Sequence, residues 1–261
     1  MNFDNLDFTL MIPALLAGIV VLSTHVPLGQ EVLKRGIIFI DLAIAQIAAM
    51  GVIAATLFAG ELTNWSVQLF AGSSAVLGAI LIHNLEQRYN HNLEAIIGLL
   101  YVLAASGCLL MISHAPHGDA LLHKLLVGQI LWVNYEQLIW VALLYSVLLL
   151  IWFKLKYKSS IIFYLVFSLS VTVSVQLVGI YLVFTSLILP ALASRSVQQP
   201  SYQLLAAYST GLIGYLLGLI TSLLFDLPTG AVTVWTLVFV GLFFYKFKKY
   251  QSFSKPHPRD S

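Results

Sequence analysis

Charge is what this chain has least of. Only 9% of its 261 residues are Asp, Glu, Lys or Arg, where a soluble globular domain carries about a quarter. Hydrophobic residues make up 59%, and the mean hydropathy is +0.91. A soluble globular domain is excluded, and a net charge of +2 gives no basis for binding nucleic acid. The single cysteine, Cys108, sits in an apolar run, so neither a disulfide framework nor a thiolate metal cluster is available. The chain has no phosphate-binding glycine loop and therefore no usual means of holding ATP. It has no His-Glu-x-x-His motif and no serine or cysteine with an evident base beside it, so no enzyme is expected and no cofactor bound by this chain. Residues 1–7 are polar and acidic, with no basic n-region or small-residue cleavage site, and no removable signal peptide is expected.

What is present is a series of long apolar runs. An apolar helix needs roughly 20 residues to cross a bilayer core, and only helices satisfy their own backbone in lipid. The runs 8–28, 36–60, 65–85, 94–113, 136–153, 204–225 and 230–247 read as spans. The longest uncharged run, 159–194, is too long for one straight span and slightly short for two. Gly179 near its middle and Pro190 near its end predict a broken or short helical pair. The fold class is all-α: a polytopic membrane protein of eight or nine transmembrane helices. Residues 1–250 form a single transmembrane domain and 251–261 a polar cytoplasmic tail. Residues 119–132 are too short to cross and predict a re-entrant or surface helix, with Asp119 as its N-cap.

If 159–194 crosses twice, Lys34/Arg35, Arg88, Lys154/Lys156/Lys158, Arg195 and Lys246/Lys248/Lys249 all fall on one side. Asp4/Asp7, Glu61, the loop around His114–His123 and Asp226 fall on the other, with Lys124 the lone basic exception. The excess of Lys and Arg makes the first side cytoplasmic and places the carboxyl terminus there. The polar segment after Arg195, Ser196-Val-Gln-Gln-Pro-Ser-Tyr-Gln203, is then a cytoplasmic elbow on which a soluble partner could dock.

Four sites could carry chemistry. Asp41, in the second span, costs about 2.5–3.5 kcal/mol on insertion scales and marks an ion path, unless it is an interfacial charge beside Lys34 and Arg35. Gln46, five residues on, lies about 140° round the helix and does not share its face. His114, His117, Asp119 and His123 offer three imidazoles and a carboxylate suited to zinc or manganese; the plainer reading is a solvated loop capped by Asp119. His25, beside Pro27 and Gly29, reads either as a ligand near Glu31 and Asp41 or as a hydrogen-bonded packing residue. Glu94 favours its own helix N-terminus. The small residues of the second span, among them Ala43, Ala48, Ala49 and Gly51, predict close helix packing.

Several separated stretches resemble the permease subunits of zinc/manganese-type ABC importers. They are Val32-Leu-Lys-Arg35, Glu94-Ala-Ile-Ile-Gly-Leu-Leu-Tyr101, Leu125-Leu-Val-Gly-Gln-Ile-Leu-Trp-Val133, Val178–Arg195 and Asp226-Leu-Pro-Thr-Gly230, and in order they cover nearly the whole chain. The resemblance implies a homodimeric permease in a bacterial inner membrane, surrounded by lipid. It implies cytoplasmic ATP-binding subunits, an extracytoplasmic metal-binding protein and a transported divalent metal. Pro190, Ser194 and Arg195 look like the family's coupling segment. One departure stands out. The family's second span carries an aspartate and a histidine one helical turn apart; aligned on Gly51, those positions are Leu42 and Gln46, with Asp41 displaced by one. The identity of the metal is therefore open, and His25 could compensate. Two other classes remain: an ion-coupled metal carrier working through Asp41, and an intramembrane zinc hydrolase using the His114–His123 cluster, which lacks a fixed general base.

Overall fold

The structure, a computed structural model, describes residues 8–58, 64–113, 123, 125–155 and 159–253. These residues form nine helices of 15 residues or more: α1 (Phe8–Arg35), α2 (Ile40–Phe58), α3 (Asn64–Tyr89), α4 (Leu93–Ile112), α5 (Tyr135–Leu155), α6 (Ser160–Val178), α7 (Ile180–Ser194), α8 (Pro200–Phe225) and α9 (Thr229–Phe253). Seven are long and apolar enough to cross a membrane; Ile180–Ser194 and the apolar part of α9, Thr229–Tyr245, are shorter. The chain is an all-α, polytopic membrane protein. The polar tail expected from residue 251 begins inside α9, whose helix runs to Phe253.

The helix ends sort as the charges do. Lys34 and Arg35 close α1, Arg88 lies in the last turn of α3, Lys154 in the last turn of α5, and Arg195 caps α7. Side-chain contacts tie this basic end together. Arg35 Nε bonds Glu31 Oε1 at 2.9 Å, and Arg35 Nη1 donates to Ser160 Oγ at 2.8 Å and lies 3.5 Å from Glu86 Oε1. Ser160 in turn donates to Glu86 Oε2 at 3.0 Å. The Arg35 guanidinium also stacks on Phe163, 4.4 Å from the ring centroid. The ends of α1 and α3 and the start of α6 are thus bound at one point. Beside them Phe39 N, leading into α2, donates to Glu94 Oε1 at 3.1 Å, so Glu94 serves the start of α2 as well as of its own helix α4.

Helix α1 is longer than the sequence suggested. The first span reads as 8–28, but the helix continues to Arg35 although Pro27 lies inside it. Proline removes the N–H that would bond the carbonyl four residues back. That carbonyl, Ser23 O, accepts instead from Tyr208 Oη of α8 at 3.1 Å, so the gap in the helix ladder is filled by a neighbour. The continued helix brings Gly29 against α7, where a Cβ would collide with Leu187 O. The small residues of α2 do what their size allows: α2 packs closely on α3 and α4, and a Cβ on Gly51 would lie 2.8 Å from Phe70 O. The buried interior centres on α1, α2, α6 and α7, while α4 and α5 turn residues such as Leu99, Leu103, Leu110, Ile139 and Leu143 outward, an apolar face for lipid.

The predicted break in 159–194 falls at Gly179, which has φ +83° and separates α6 from α7. Fifteen residues give α7 a length of about 22 Å, short of a roughly 30 Å bilayer core. Its broken end is covered by the segment between α4 and α5. That segment is helical over 125–127, then turns at Gly128 (φ +74°) into a 3₁₀ turn at Ile130–Trp132 instead of continuing as the re-entrant or surface helix expected to run to residue 132. The reason is contact. A Cβ on Gly128 would collide with the Val178 carbonyl and Gly179 N, and one on Gly230 would collide with Val127 O. Three backbones meet where only glycine fits. The irregular backbone here is packed against protein, the condition under which it is tolerated at membrane depth.

Candidate translocation core and its two ends

His25 lies at the heart of the bundle, fully buried. Its Nδ1 is 2.8 Å from Ser186 Oγ of α7 and its Nε2 is 2.9 Å from Ser174 Oγ of α6. Ser174 Oγ is also 2.5 Å from Tyr145 Oη of α5, which donates to Ser170 O at 2.9 Å. Ser186 Oγ donates its one hydrogen to Val183 O at 3.1 Å, so it accepts from His25. The imidazole is then the neutral Nδ1–H tautomer and its Nε2 accepts from Ser174. The contacts around His25 join α1, α5, α6 and α7. Its partners are hydroxyls rather than Glu31 and Asp41: Glu31 is paired with Arg35. Both ring nitrogens are engaged, and Nε2 could ligate metal only after Ser174 turns away.

Asp41, in the first turn of α2, is buried, and neither carboxylate oxygen has a hydrogen-bond partner. Glu94 Oε2 is likewise unpartnered. Gln46, one turn further into the membrane, is buried, and its carbonyl lies 3.7 Å from Cys108 Sγ. Among the described residues no group of three or more His, Cys, Asp or Glu side chains is placed to hold a metal ion. His114, His117 and Asp119 lie outside the described residues. His123 is exposed and lines a cavity with Gln129, Trp132, Asp226 and Thr229 at the end of the bundle opposite the basic cluster.

At the basic end, α7 runs down from Gly179 to the elbow. Pro190 and Ser194 are buried, Ser194 Oγ donating to Ala191 O at 3.1 Å, while Arg195, Ser196, Gln198 and Gln199 are exposed. Val197 N donates back to Ser194 O at 3.0 Å and Pro200 opens α8, which makes the elbow a defined turn. Helix α7 thus carries the exposed elbow at one end, Ser186 of the His25 network in its middle and the glycine joint at the other.

Sequence reasoning missed Ser174, Ser186 and Tyr145, three small polar signals inside apolar runs. It also passed over Glu86 and His83; the Glu31–Arg35 spacing of four was the available clue to that cluster, in which His83 Nδ1 lies 3.6 Å from Glu86 Oε2.

Comparison with known proteins gives the chain a class. The chain matches the ABC 3 transport family over residues 7–163 and 155–248. It belongs to that family and is a membrane permease of the ABC type, not an enzyme; the intramembrane hydrolase reading is thereby set aside. A Chlamydia trachomatis serovar D protein, described as a probable metal transport system membrane protein, is 23% identical over 246 residues, covering 85% of this chain and 84% of that one. Among solved structures, PsaBC from Streptococcus pneumoniae in complex with Fab superposes with a TM-score of 0.74 at 19% identity, over 95% of this chain and 96% of that one. A transporter described as of the metal-chelate ABC type, in an inward-facing conformation, gives 0.65 at 19% identity, over 92% and 85%. At these identities the structures show a shared fold.

Proposed function

We propose that this permease imports a divalent transition metal, zinc or manganese, across a bacterial inner membrane as a homodimer. ATP is hydrolysed by separate subunits bound at the basic, cytoplasmic end, to which the carboxyl terminus also belongs. An extracytoplasmic metal-binding protein delivers cargo to the opposite end, where His123 and Asp226 lie. The relatives' descriptions as metal transport proteins support the cargo class. The observation that carries the mechanism is the placement of α7. Its exposed elbow at Arg195 offers a docking surface, and the same 15-residue helix reaches the His25 network and the glycine joint. A push on the elbow has a rigid element to move.

Replacing Arg195 with Glu reverses the charge at the docking surface without touching a buried contact. The variant should insert and fold at parental level but lose co-purification with its ATPase, metal uptake, or both. Normal assembly together with normal uptake would remove the elbow from the mechanism.

A second reading is favoured by one observation, the buried and unpartnered carboxylate of Asp41. A carboxylate in that state could drive metal movement by exchanging a proton or cation with the solvent, making the chain an ion-coupled carrier. The dependence of uptake on ATP decides between the two.

A further inference from the structure

We propose that the cavity between the 123–132 segment and the 226–230 turn is a transient site for a divalent first-row transition metal, held by His123 and Asp226. The inference rests on the reading that the cargo is such a metal and adds where it first rests on the permease. The cavity has a volume of about 500 Å³ and is walled by His123, Gln129, Trp132, Asp226 and Thr229, with Gly128 and Gly230 also lining it. Since liquid water occupies about 30 Å³ per molecule, the space accepts a dication with much of its water shell. Its position is specific. Gly128 and Gly230 belong to the joint where the 125–133 backbone meets the break between α6 and α7, so the cavity adjoins that break.

The donor set selects the ligand. An imidazole with a carboxylate suits zinc, manganese or ferrous iron; it lacks the thiolates favoured by Cu(I) and the all-oxygen cage favoured by calcium. Two such side chains with water in the remaining positions hold a metal weakly, as a mouth site must, because cargo that enters also has to leave. Asp226 has a structural duty as well. It ends α8 in the left-handed region (φ 51°, ψ 48°), the one described non-glycine residue with positive φ. Leu227 N donates back to Ser222 O at 3.1 Å across the same turn. Asparagine tolerates that conformation as well as aspartate does, so Asp226→Asn removes the charge and keeps the turn.

The test uses Mn²⁺ as probe on the full chain in lipid nanodiscs, with thermal midpoints confirming that the variants are folded. Pulsed electron paramagnetic resonance of the bound Mn²⁺ should show a nitrogen coupling that disappears in His123→Gln and persists in Asp226→Asn at saturation. Each substitution should raise the Mn²⁺ concentration for half-saturation about tenfold, as loss of a group supporting a metal typically does. Absence of Mn²⁺ binding to the parent, or unchanged affinity in both variants with the nitrogen coupling intact in His123→Gln, would overturn the site. A parallel measurement separates this from the transport reading. If the parent complex moves neither Mn²⁺ nor Zn²⁺, the permease proposal fails whatever the mouth binds. If the parent moves metal and both variants show the parental half-saturating concentration, only the mouth site fails.

Discussion

Gly128 and Gly179 meet backbone to backbone: a Cβ built on Gly179 would stand 2.5 Å from the Val127 carbonyl carbon and 2.8 Å from Gly128 Cα. Both have positive φ, so each is required twice over, by conformation and by space. Gly179→Ala should therefore destabilise the folded chain by about 1–3 kcal/mol from strain and overpacking. Gly36→Ala is a useful control, since its φ is +72° but nothing lies within 4 Å of an added Cβ. Thermal unfolding in detergent should show a larger loss at position 179 than at 36; equal losses would mean that the contact contributes nothing beyond backbone strain.

His25 should behave as a pin between helices. Interhelical hydrogen bonds in membrane proteins average about 0.6 kcal/mol and reach about 1.7, so losing the two to Ser174 and Ser186 should cost about 1–3 kcal/mol. Ser186→Ala should cost less than His25→Ala, because it breaks one of the two. A double-mutant cycle between positions 25 and 186 checks the coupling directly. Strict additivity would show that the two side chains are neighbours without being partners.

Asp41→Asn replaces a buried carboxyl group that has no hydrogen-bond partner. The variant should be at least as stable as the parent while its metal uptake falls, a trade of stability against function. Protein level, thermal midpoint and uptake measured on the same preparation decide the matter. Unchanged uptake would make Asp41 a structural charge near the membrane surface.

Arg35→Lys keeps the charge but loses the planar fork and the stack on Phe163. Lysine cannot reproduce the bonds to Glu31 and Ser160 together with the approach to Glu86. Hydrogen exchange should quicken at the end of α1, the end of α3 and the start of α6, and stay parental in α4 and α5. Uniform protection in the variant would show that the cluster does not hold these ends together.

Much of this fold is legible in the sequence because bilayer physics acts locally. Twenty apolar residues bounded by charge announce a helix, and Gly179 in the 159–194 run announces its break. The segregation of Lys34, Arg35, Arg88, Lys154 and Arg195 is legible for the same reason. What escaped is set by residues far apart in the chain. The first span reads as 8–28, yet its helix runs on through Pro27 to Arg35, with Tyr208 supplying the hydrogen bond to Ser23 O. His25 reads as a lone histidine until Ser174 and Ser186, 149 and 161 residues away, close on its two nitrogens. Glu86 gives no local sign that Arg35 will reach it. The coupling role of Pro190, Ser194 and Arg195 and the metal roles of Asp41, Gln46 and the outer-loop residues rest on chemistry and resemblance; the substitutions at Arg195, Asp41 and His123 test one residue of each group.

The central claim is that metal crosses through this chain at the expense of ATP hydrolysed by a partner. Its most direct test is uptake of Mn²⁺ or Zn²⁺ into vesicles containing the chain with its ATPase subunit, the metal-binding protein supplied on the loading side. The account predicts uptake that requires hydrolysable ATP, stops with a non-hydrolysable analogue and is indifferent to an imposed proton or sodium gradient. Uptake by the chain alone, driven by such a gradient without nucleotide, would contradict it.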